Sequence, residues 1–228
     1  MITNDKRVRI ITGHYGSGKT EFAVNYATKL VGLSDRKVAL ADMDIVNVYF
    51  RSREVRDKIT AAGIRMIDSS VNTSADLPAV PAEAFAPFED KNYDYIIDLG
   101  GNDVGTNVLG RYKKYIKPEE TDFFMVVNVF RPDTMNVEKI LKVKEKLEYS
   151  SGLKVTGFVN NSNLVRETNA ESVLLGDEIV SEASRITGIP IKYTTYVEEV
   201  VLDMTPEIKV KLSGEVIPMK YFMRETWM

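Results

Sequence analysis

The segment from Gly13 to Thr20 constrains the fold of this chain more than any other stretch. It reads GHYGSGKT and fits the pattern G-x-x-x-x-G-K-[ST], whose glycines allow a tight backbone turn. In such a turn, successive backbone N–H groups point into one concavity that suits an anion. A β-branched run precedes the segment and a helical apolar pattern follows it. The sequence therefore predicts a phosphate site between a strand and the N-terminus of a helix.

Composition narrows the classes of protein that the sequence can encode. The chain has 228 residues, of which 44% are hydrophobic, and this is enough for the core of one sizeable α/β domain. The net charge of −3 offers no basic face for nucleic acid, so we do not expect a nucleic-acid partner. The absence of cysteine excludes disulfides and thiolate metal sites. A polar N-terminus and the lack of a long apolar run predict a cytoplasmic location.

Strand-like and helical patterns alternate along the chain. The strand-like runs lie at 7–12, 38–41, 64–67, 93–99, 123–127, 155–159 and 191–195. This alternation predicts a doubly wound α/β fold with a mostly parallel sheet of about seven strands and helices on both faces. The run at 191–195 is expected to be the last strand. We expect a single nucleotide-binding domain over residues 1–228, with a C-terminal appendage from about residue 203.

Helices are predicted between these runs. The helix after the loop is expected to run from Lys19 to Val31. Residues 105–117 are read as a second helix, which Pro118 stops. Residues 169–187 form a late helix that is either continuous or broken at Gly176.

Aspartates end two of the predicted strands. Asp42 and Asp44 follow the second strand, and Asp98 ends the fourth, just before Gly101. In an open parallel sheet, ligands gather at the carboxyl ends of the strands. Each aspartate either holds Mg²⁺ or water near a terminal phosphate or has no such role, in which case Asp42 and Asp98 would only cap and Asp44 would be solvated. The nearby phosphate loop favours function for Asp44 and Asp98 and leaves Asp42 open.

Taken together, these motifs resemble the MinD/ParA-type ATPases of the SIMIBI class, a group that includes the CobQ/CobB-like synthetases. The resemblance covers roughly residues 7 to 200 and implies ATP and Mg²⁺ as cofactors. It implies catalytic roles for Lys19, Asp44 and Asp98, with Asp44 positioning the attacking water. It also implies that Thr20 binds the metal, that Asp98 reaches the metal through water, and that Asp42 is a further candidate ligand.

The same resemblance implies which residues bind the nucleotide. Asn160 ends a late strand and matches the family's asparagine that reads the adenine edge, although a turn residue would look the same. The expected nucleotide-binding residues are Gly13, His14, Tyr15, Gly16, Ser17, Gly18, Lys19, Thr20, Glu21, Gly101 and Asn160.

One position departs from the family pattern. The family has a lysine where this chain has His14, its only histidine, and that lysine reaches the phosphates of a dimer partner. His14 either donates to a phosphate when protonated or only shapes the loop. Whether two copies of the chain dimerise across bound nucleotide is therefore left open. Arg51, Arg53 and Arg131 are unranked candidates for a substitute cation.

Two other segments have open interpretations. Residues 68–90 are rich in proline and small residues and are read as a functional loop or lid. Residues 216–228 are apolar, aromatic and lightly basic. This tail either lies on a membrane as a short interfacial helix or docks on the domain, and its few basic residues favour docking.

The resemblance implies an ATP-binding and ATP-hydrolysing switch that is slow without its partner, an unknown protein. The alternatives are a synthetase or kinase that acts on a small molecule, and a noncatalytic nucleotide-binding scaffold. A GTP-using metallochaperone is a further alternative, for which histidine and cysteine ligands are scarce. The chain has no N-K-x-D motif for guanine, and an asparagine alone does not settle ATP against GTP.

Overall fold

The structure is a computed structural model that describes residues 1–43, 53–68, 82–101 and 108–223. Asp44, Arg51 and the tail beyond residue 223 lie outside the described residues, as do most of residues 68–90. The predictions made for them stay predictions.

One sheet of eight strands forms the centre of the molecule. Its strands are β1 (Val8–Thr12), β2 (Lys37–Met43), β3 (Ile64–Asp68), β4 (Tyr93–Leu99), β5 (Thr121–Val127), β6 (Gly157–Asn160), β7 (Ile191–Val197) and β8 (Glu215–Met219). Their order is β3-β2-β4-β1-β5-β6-β7-β8, and every neighbouring pair is parallel. The predicted doubly wound parallel α/β fold is confirmed.

Helices and short turns connect the strands. The helices are α1 (Lys19–Val31), α2 (Arg53–Ala61), α3 (Ala86–Glu89), α4 (Val137–Ser151), α5 (Ala170–Thr187) and α6 (Pro206–Lys209). The side chains of Asn136 and Asn169 cap α4 and α5 by accepting from backbone N–H groups three residues on. Gly152 and Gly188 end these helices in the left-handed conformation. Among the described residues, no helix is long and apolar enough to cross a membrane.

Apolar side chains cover both faces of the sheet. On one face, Phe22 and Tyr26 of α1 pack against Phe124 of β5 and Tyr193 of β7. On the other face, a second cluster includes Ile140 of α4, Val180 of α5 and aromatic side chains around α3. All five residues of β1 are buried, because β1 lies at the centre of the sheet with both faces covered.

The eighth strand corrects the expectation that the sheet ends at residues 191–195. Residues 215–219 form β8, which pairs in parallel with β7 at the sheet edge. β8 carries Pro218, a residue that argues against a strand in sequence reasoning but is tolerated on an edge strand. Residues 203–214, expected as part of an appendage, contain α6 and turns leading into β8. The division of the chain into domains stays a prediction.

The helix predicted over residues 105–117 is absent from the part that the structure describes. Residues 108–111 form a 3₁₀-helix, and turns follow them. Tyr112 is fully buried against Phe85 and Phe88, with ring centroids 4.6 and 5.6 Å away. These aromatic contacts bury the segment, in place of the apolar face that a regular helix would have presented.

The helix α5, by contrast, continues through Gly176. A Cβ atom at this position would lie 2.2 Å from the Ser162 hydroxyl oxygen. Glycine therefore allows α5 to pack closely on the segment after β6, and its cost in helix propensity is about 1 kcal/mol. The open choice between a continuous and a broken helix is resolved as continuous.

Candidate functional site

The loop between β1 and α1 curls at the carboxyl edge of the sheet. Gly16 and Gly18 have φ values of +77° and +81°, where a side chain would be strained. The Ser17 N–H donates to the His14 carbonyl oxygen at 3.0 Å and closes the turn. Gly18 is the N-cap residue, so the helix begins at Lys19. The positive end of the α1 dipole thus lies at the loop, which favours an anion there.

The backbone after β4 touches this loop directly. A Cβ atom at Gly101 would lie 1.8 Å from the Gly13 carbonyl oxygen. A Cβ atom at Gly13 would lie 2.4 Å from the carbonyl oxygen of Val126 on β5. Only glycine fits at either position. The segment after β4 and the phosphate loop are therefore held in backbone contact.

Two side chains predicted near a metal, Thr20 and Asp98, are in contact at this edge, and a third, Asp42, lies on the neighbouring strand. Thr20 Oγ1 donates to Asp98 Oδ2 at 2.6 Å. Asp98 is fully buried, and Asp42 lies opposite it in the β2–β4 register. Hydroxyl and carboxylate oxygens are the hard ligands that Mg²⁺ prefers.

The described residues would supply only part of a Mg²⁺ shell. Among them, no group of three or more Asp, Glu, His or Cys side chains could hold a metal. Mg²⁺ usually keeps several waters and takes one or two carboxylates plus phosphate oxygens. The residues present therefore fit Mg²⁺ held jointly with a phosphate ligand. Asp44 lies outside the described residues, so its predicted role stays a prediction.

A cavity of about 340 Å³ opens beside the loop. The loop and the start of α1 form one end of it, and the ends of β7 and β8 form the other. The lining residues are Tyr15, Gly16, Gly18, Lys19, Thr20, Glu21, Arg131, Asn161, Asn163, Thr168, Tyr196, Val197, Met219, Tyr221 and Met223. Its loop end carries backbone N–H groups and the cations Lys19 and Arg131, whereas its far end is aromatic and apolar.

The apolar wall includes residues just beyond β8, and α1 holds them in place. The Glu21 carboxylate accepts from the N–H groups of Phe222 at 2.5 Å and Met223 at 3.2 Å. The side-chain amide of Asn25 accepts from the Lys220 N–H at 2.8 Å and donates to its carbonyl oxygen at 2.9 Å. Residues 219–223, which we call the C-terminal wall, are thus docked on the molecule. Glu21, predicted to bind nucleotide, lines the cavity and holds this wall.

Asn160 faces away from the cavity. It is fully buried, and its side-chain amide donates to the Val173 carbonyl oxygen at 3.3 Å and accepts from the Ser162 N–H at 3.2 Å. These contacts tie β6 to α5. Its role in reading a base stays a prediction.

The next residue, Asn161, lines the cavity instead. Its Nδ2 donates to the Ser17 carbonyl oxygen at 2.7 Å, and its Oδ1 accepts from Thr195 at 2.7 Å. It therefore links the phosphate loop to β7. Asn163 lies on the same wall. Neither residue was predicted to belong to the site, although the polar run after β6 was a signal for them.

His14 is not among the residues that line the cavity. Its Nε2 lies 3.6 Å from Asp133 Oδ2, in the loop between β5 and α4. Its Nδ1 lies 3.2 Å from the Tyr15 carbonyl oxygen. Tyr15 is largely exposed and lines the cavity mouth. His14 is therefore engaged with a neighbouring loop.

Comparison with known proteins shows the fold. The sequence matches no protein-family model and no curated protein. Two crystal structures of FtsY from Mycoplasma mycoides match, with TM-scores of 0.56 and 0.51 at 17% and 18% identity. They cover 83% of this chain, which spans only 60% and 59% of their length. The cell division protein FtsY from Thermotoga maritima matches at a TM-score of 0.53 and 21% identity, over 91% of this chain and 68% of that one. This likeness shows a phosphate-loop α/β fold.

Proposed function

We propose that this protein binds ATP with Mg²⁺ and hydrolyses it, and that it acts as a MinD/ParA-like switch regulated by a partner protein. The contact from Thr20 to Asp98, at 2.6 Å beside a helix N-terminus, carries the proposal. It joins the residue that ends the phosphate loop to the acid that ends β4. Nucleotide hydrolases use a hydroxyl and an acid in this way to hold Mg²⁺ against the phosphates.

The loop end of the cavity suits the phosphate chain. The backbone N–H groups of residues 16–20 and the Lys19 ammonium would bind phosphate oxygens, and Thr20 and Asp98 would hold Mg²⁺. Bound Mg²⁺ would neutralise charge on the phosphates. Asp44 is proposed to orient the attacking water, and the contact of Gly101 with Gly13 supports a response of the segment after β4 to the terminal phosphate.

The apolar end of the cavity suits the base. Tyr196, Tyr221 and Met223 offer flat or polarisable surfaces for a purine ring. Adenine is proposed as the base because of the resemblance to the MinD/ParA-type ATPases. Glu21 lines the cavity, and its carboxylate accepts from the C-terminal wall.

Calorimetry with ATP and GTP, each with Mg²⁺, tests the proposal, together with an assay of phosphate release. We expect the wild type to bind ATP more tightly than GTP, and Lys19→Ala to weaken ATP binding at least about 100-fold through loss of a charge-assisted contact. Lys142→Ala, which removes an exposed lysine of α4, is the matched control. Unchanged affinity in Lys19→Ala would refute the proposal. Binding without phosphate release, with or without cell extract as a source of partner, would identify a scaffold instead of a switch.

A further inference from the structure

The loop between β5 and α4 is held together by hydrogen bonds to Asn128. Asn128 is fully buried, and its carbonyl oxygen accepts from Thr134 Oγ1 at 2.6 Å and from the Arg131 N–H at 3.1 Å. Its side-chain oxygen accepts from the N–H groups of Phe130 at 3.0 Å and Asn163 at 3.2 Å. These bonds hold residues 128–134 in one compact turn beside the phosphate loop.

This turn places the Arg131 side chain on the phosphate loop. Arg131 Nε donates to the Gly16 carbonyl oxygen at 3.0 Å. A Cβ atom at Gly16 would lie 3.1 Å from the same nitrogen, so the side chain packs directly on the loop backbone. Arg131 also lines the cavity, as Lys19 does. Two cations from different elements therefore border the same space.

The charge of Arg131 is not neutralised by a carboxylate in the described structure. Within residues 1–43, 53–68, 82–101 and 108–223, no carboxylate forms an ion pair with it. Its hydrogen bond to Gly16 uses Nε, and no described residue bonds to Nη1 or Nη2. In the same turn, Asp133 lies next to His14 instead. The guanidinium is thus oriented while its outer donors stay available.

We propose that Arg131 binds the phosphate chain of the nucleotide through its Nη groups, supplying within one chain a second cation besides Lys19. The inference rests on the proposed nucleotide site. A guanidinium presents paired N–H donors that match phosphate oxygens, and an arginine already held by its Nε loses little further freedom on binding. Of the arginines that the sequence leaves unranked, Arg131 is the one whose side chain the structure describes at the cavity.

The experiment compares Arg131→Gln and Arg131→Lys with wild type, using ATP, ADP, AMP and adenosine with Mg²⁺ in a calorimeter. We expect Arg131→Gln to weaken ATP binding by about 10- to 100-fold, the usual effect of losing a charge-assisted hydrogen bond. The loss should shrink with each phosphate removed and vanish for adenosine. Arg131→Lys, which keeps the charge, should recover part of the ATP affinity. Arg185→Gln, an exposed arginine of α5, controls for the charge change.

The outcomes separate this assignment from the proposed function. ATP affinity in Arg131→Gln equal to wild type would overturn the role of Arg131 and leave the nucleotide site intact. An equal loss for ATP and adenosine, with no rescue by lysine, would show that Arg131 only braces the loop and would also overturn it. A wild type that binds none of these ligands would overturn both proposals. Thermal melting of each variant excludes misfolding as the cause of a loss.

Discussion

Charged side chains lie at both the amino ends and the carboxyl ends of the sheet's strands, which we call the amino edge and the carboxyl edge. Their surroundings differ at the two edges. The strand β4 shows this directly, because it has Asp94 near its start and Asp98 near its end. At the amino edge, Asp94 is buried and pairs with Arg9, which is only 1% exposed. At the carboxyl edge, Asp98 contacts Thr20 beside a cavity that two cations border.

The amino-edge cluster supplies a cationic partner within the protein for each of its carboxylates. Arg9 donates to Asp94 and to the carbonyl oxygens of Arg7 at 3.2 Å and Asp5 at 3.1 Å. The hydroxyls of Tyr26 and Tyr193 both donate to Asp5. Burial raises the pKa of both tyrosines well above its ordinary value, so they stay neutral at any physiological pH. A charged cluster with its partners inside the protein is a structural element, whereas one that opens into a cavity indicates a ligand site.

Disruption of the Arg9–Asp94 pair should have the largest effect, and the property that changes should be stability. Asp94→Asn leaves the buried Arg9 charge without its carboxylate, and removal of one partner of such a pair costs about 3–5 kcal/mol. Urea denaturation should show this loss, with nucleotide affinity of the folded protein unchanged. Glu182→Gln, which breaks the exposed pair with Arg185, is the control. An Asp94→Asn variant as stable as wild type would contradict a structural role for the charged cluster at the amino edge.

A change at the Thr20–Asp98 pair of the carboxyl edge should instead act mainly on ATP affinity. Thr20→Val keeps the shape of the side chain but removes the hydroxyl that would bind Mg²⁺, so ATP affinity should fall by about 10- to 100-fold. Stability should fall by about 1–3 kcal/mol, less than in Asp94→Asn, because the buried Asp98 carboxylate loses one hydrogen-bond donor. The difference from wild type should disappear in EDTA. Thr28→Val, in the same helix, removes a hydroxyl that donates to the Val24 carbonyl oxygen at 2.8 Å, and this variant should bind ATP normally. Normal Mg²⁺-dependent binding by Thr20→Val would contradict a metal site here.

At the carboxyl edge, the parts of the site that local patterns control could be predicted from the sequence. The strands around Asp98, the turn at Gly13 to Thr20 and the helix from Lys19 to Val31 follow from short-range glycine, apolar and β-branched patterns. Parallel pairing then brings the strand ends together, so the meeting of Thr20 and Asp98 follows from topology.

The remaining parts of the site depend on contacts between distant segments. Arg131 bonds to Gly16 across 115 positions, and no local pattern distinguishes it from other loop arginines. Asn160 and Asn161 are identical in type, but successive side chains at a strand end point to opposite sides, so only Asn161 reaches the cavity. The charged cluster at the amino edge was not predicted either, because Arg9 and Asp94 lie within strands that read simply as buried.

A substitution in the C-terminal wall tests whether the cavity binds phosphate at one end and the base at the other. Tyr221→Ala removes part of the surface proposed for the base, so ATP affinity should fall by about 5- to 10-fold, as for the loss of one stacking side chain. Binding of inorganic tripolyphosphate, which has no base, should not change. Tyr149→Ala, at a 93% exposed position on α4, is the control. An equal loss for both ligands would place Tyr221 outside a base subsite.

The smallest effect concerns a third charged group, Glu148, which belongs to neither of these two clusters. It accepts from the Val155 N–H at 3.0 Å and from Lys154 at 2.8 Å, and so joins the end of α4 to the entry of β6. Burial alone would raise the pKa of Glu148, but these bonds outweigh burial and hold the pKa below its ordinary value. Folding therefore favours the ionised form. Its contribution is present above the pKa of the unfolded chain and is lost as the pH falls through the lower pKa of the folded state.

Glu148→Gln should accordingly reduce the free energy of unfolding by about 1 kcal/mol at pH 7, and the difference from wild type should shrink towards zero near pH 3. Urea denaturation at several pH values measures it, with Glu145→Gln on the exposed side of the same helix as the control. A difference that persists unchanged at acidic pH would show that the shape of the side chain matters and its charge does not. Glu148 would then stabilise the end of α4 through packing and not through its charge.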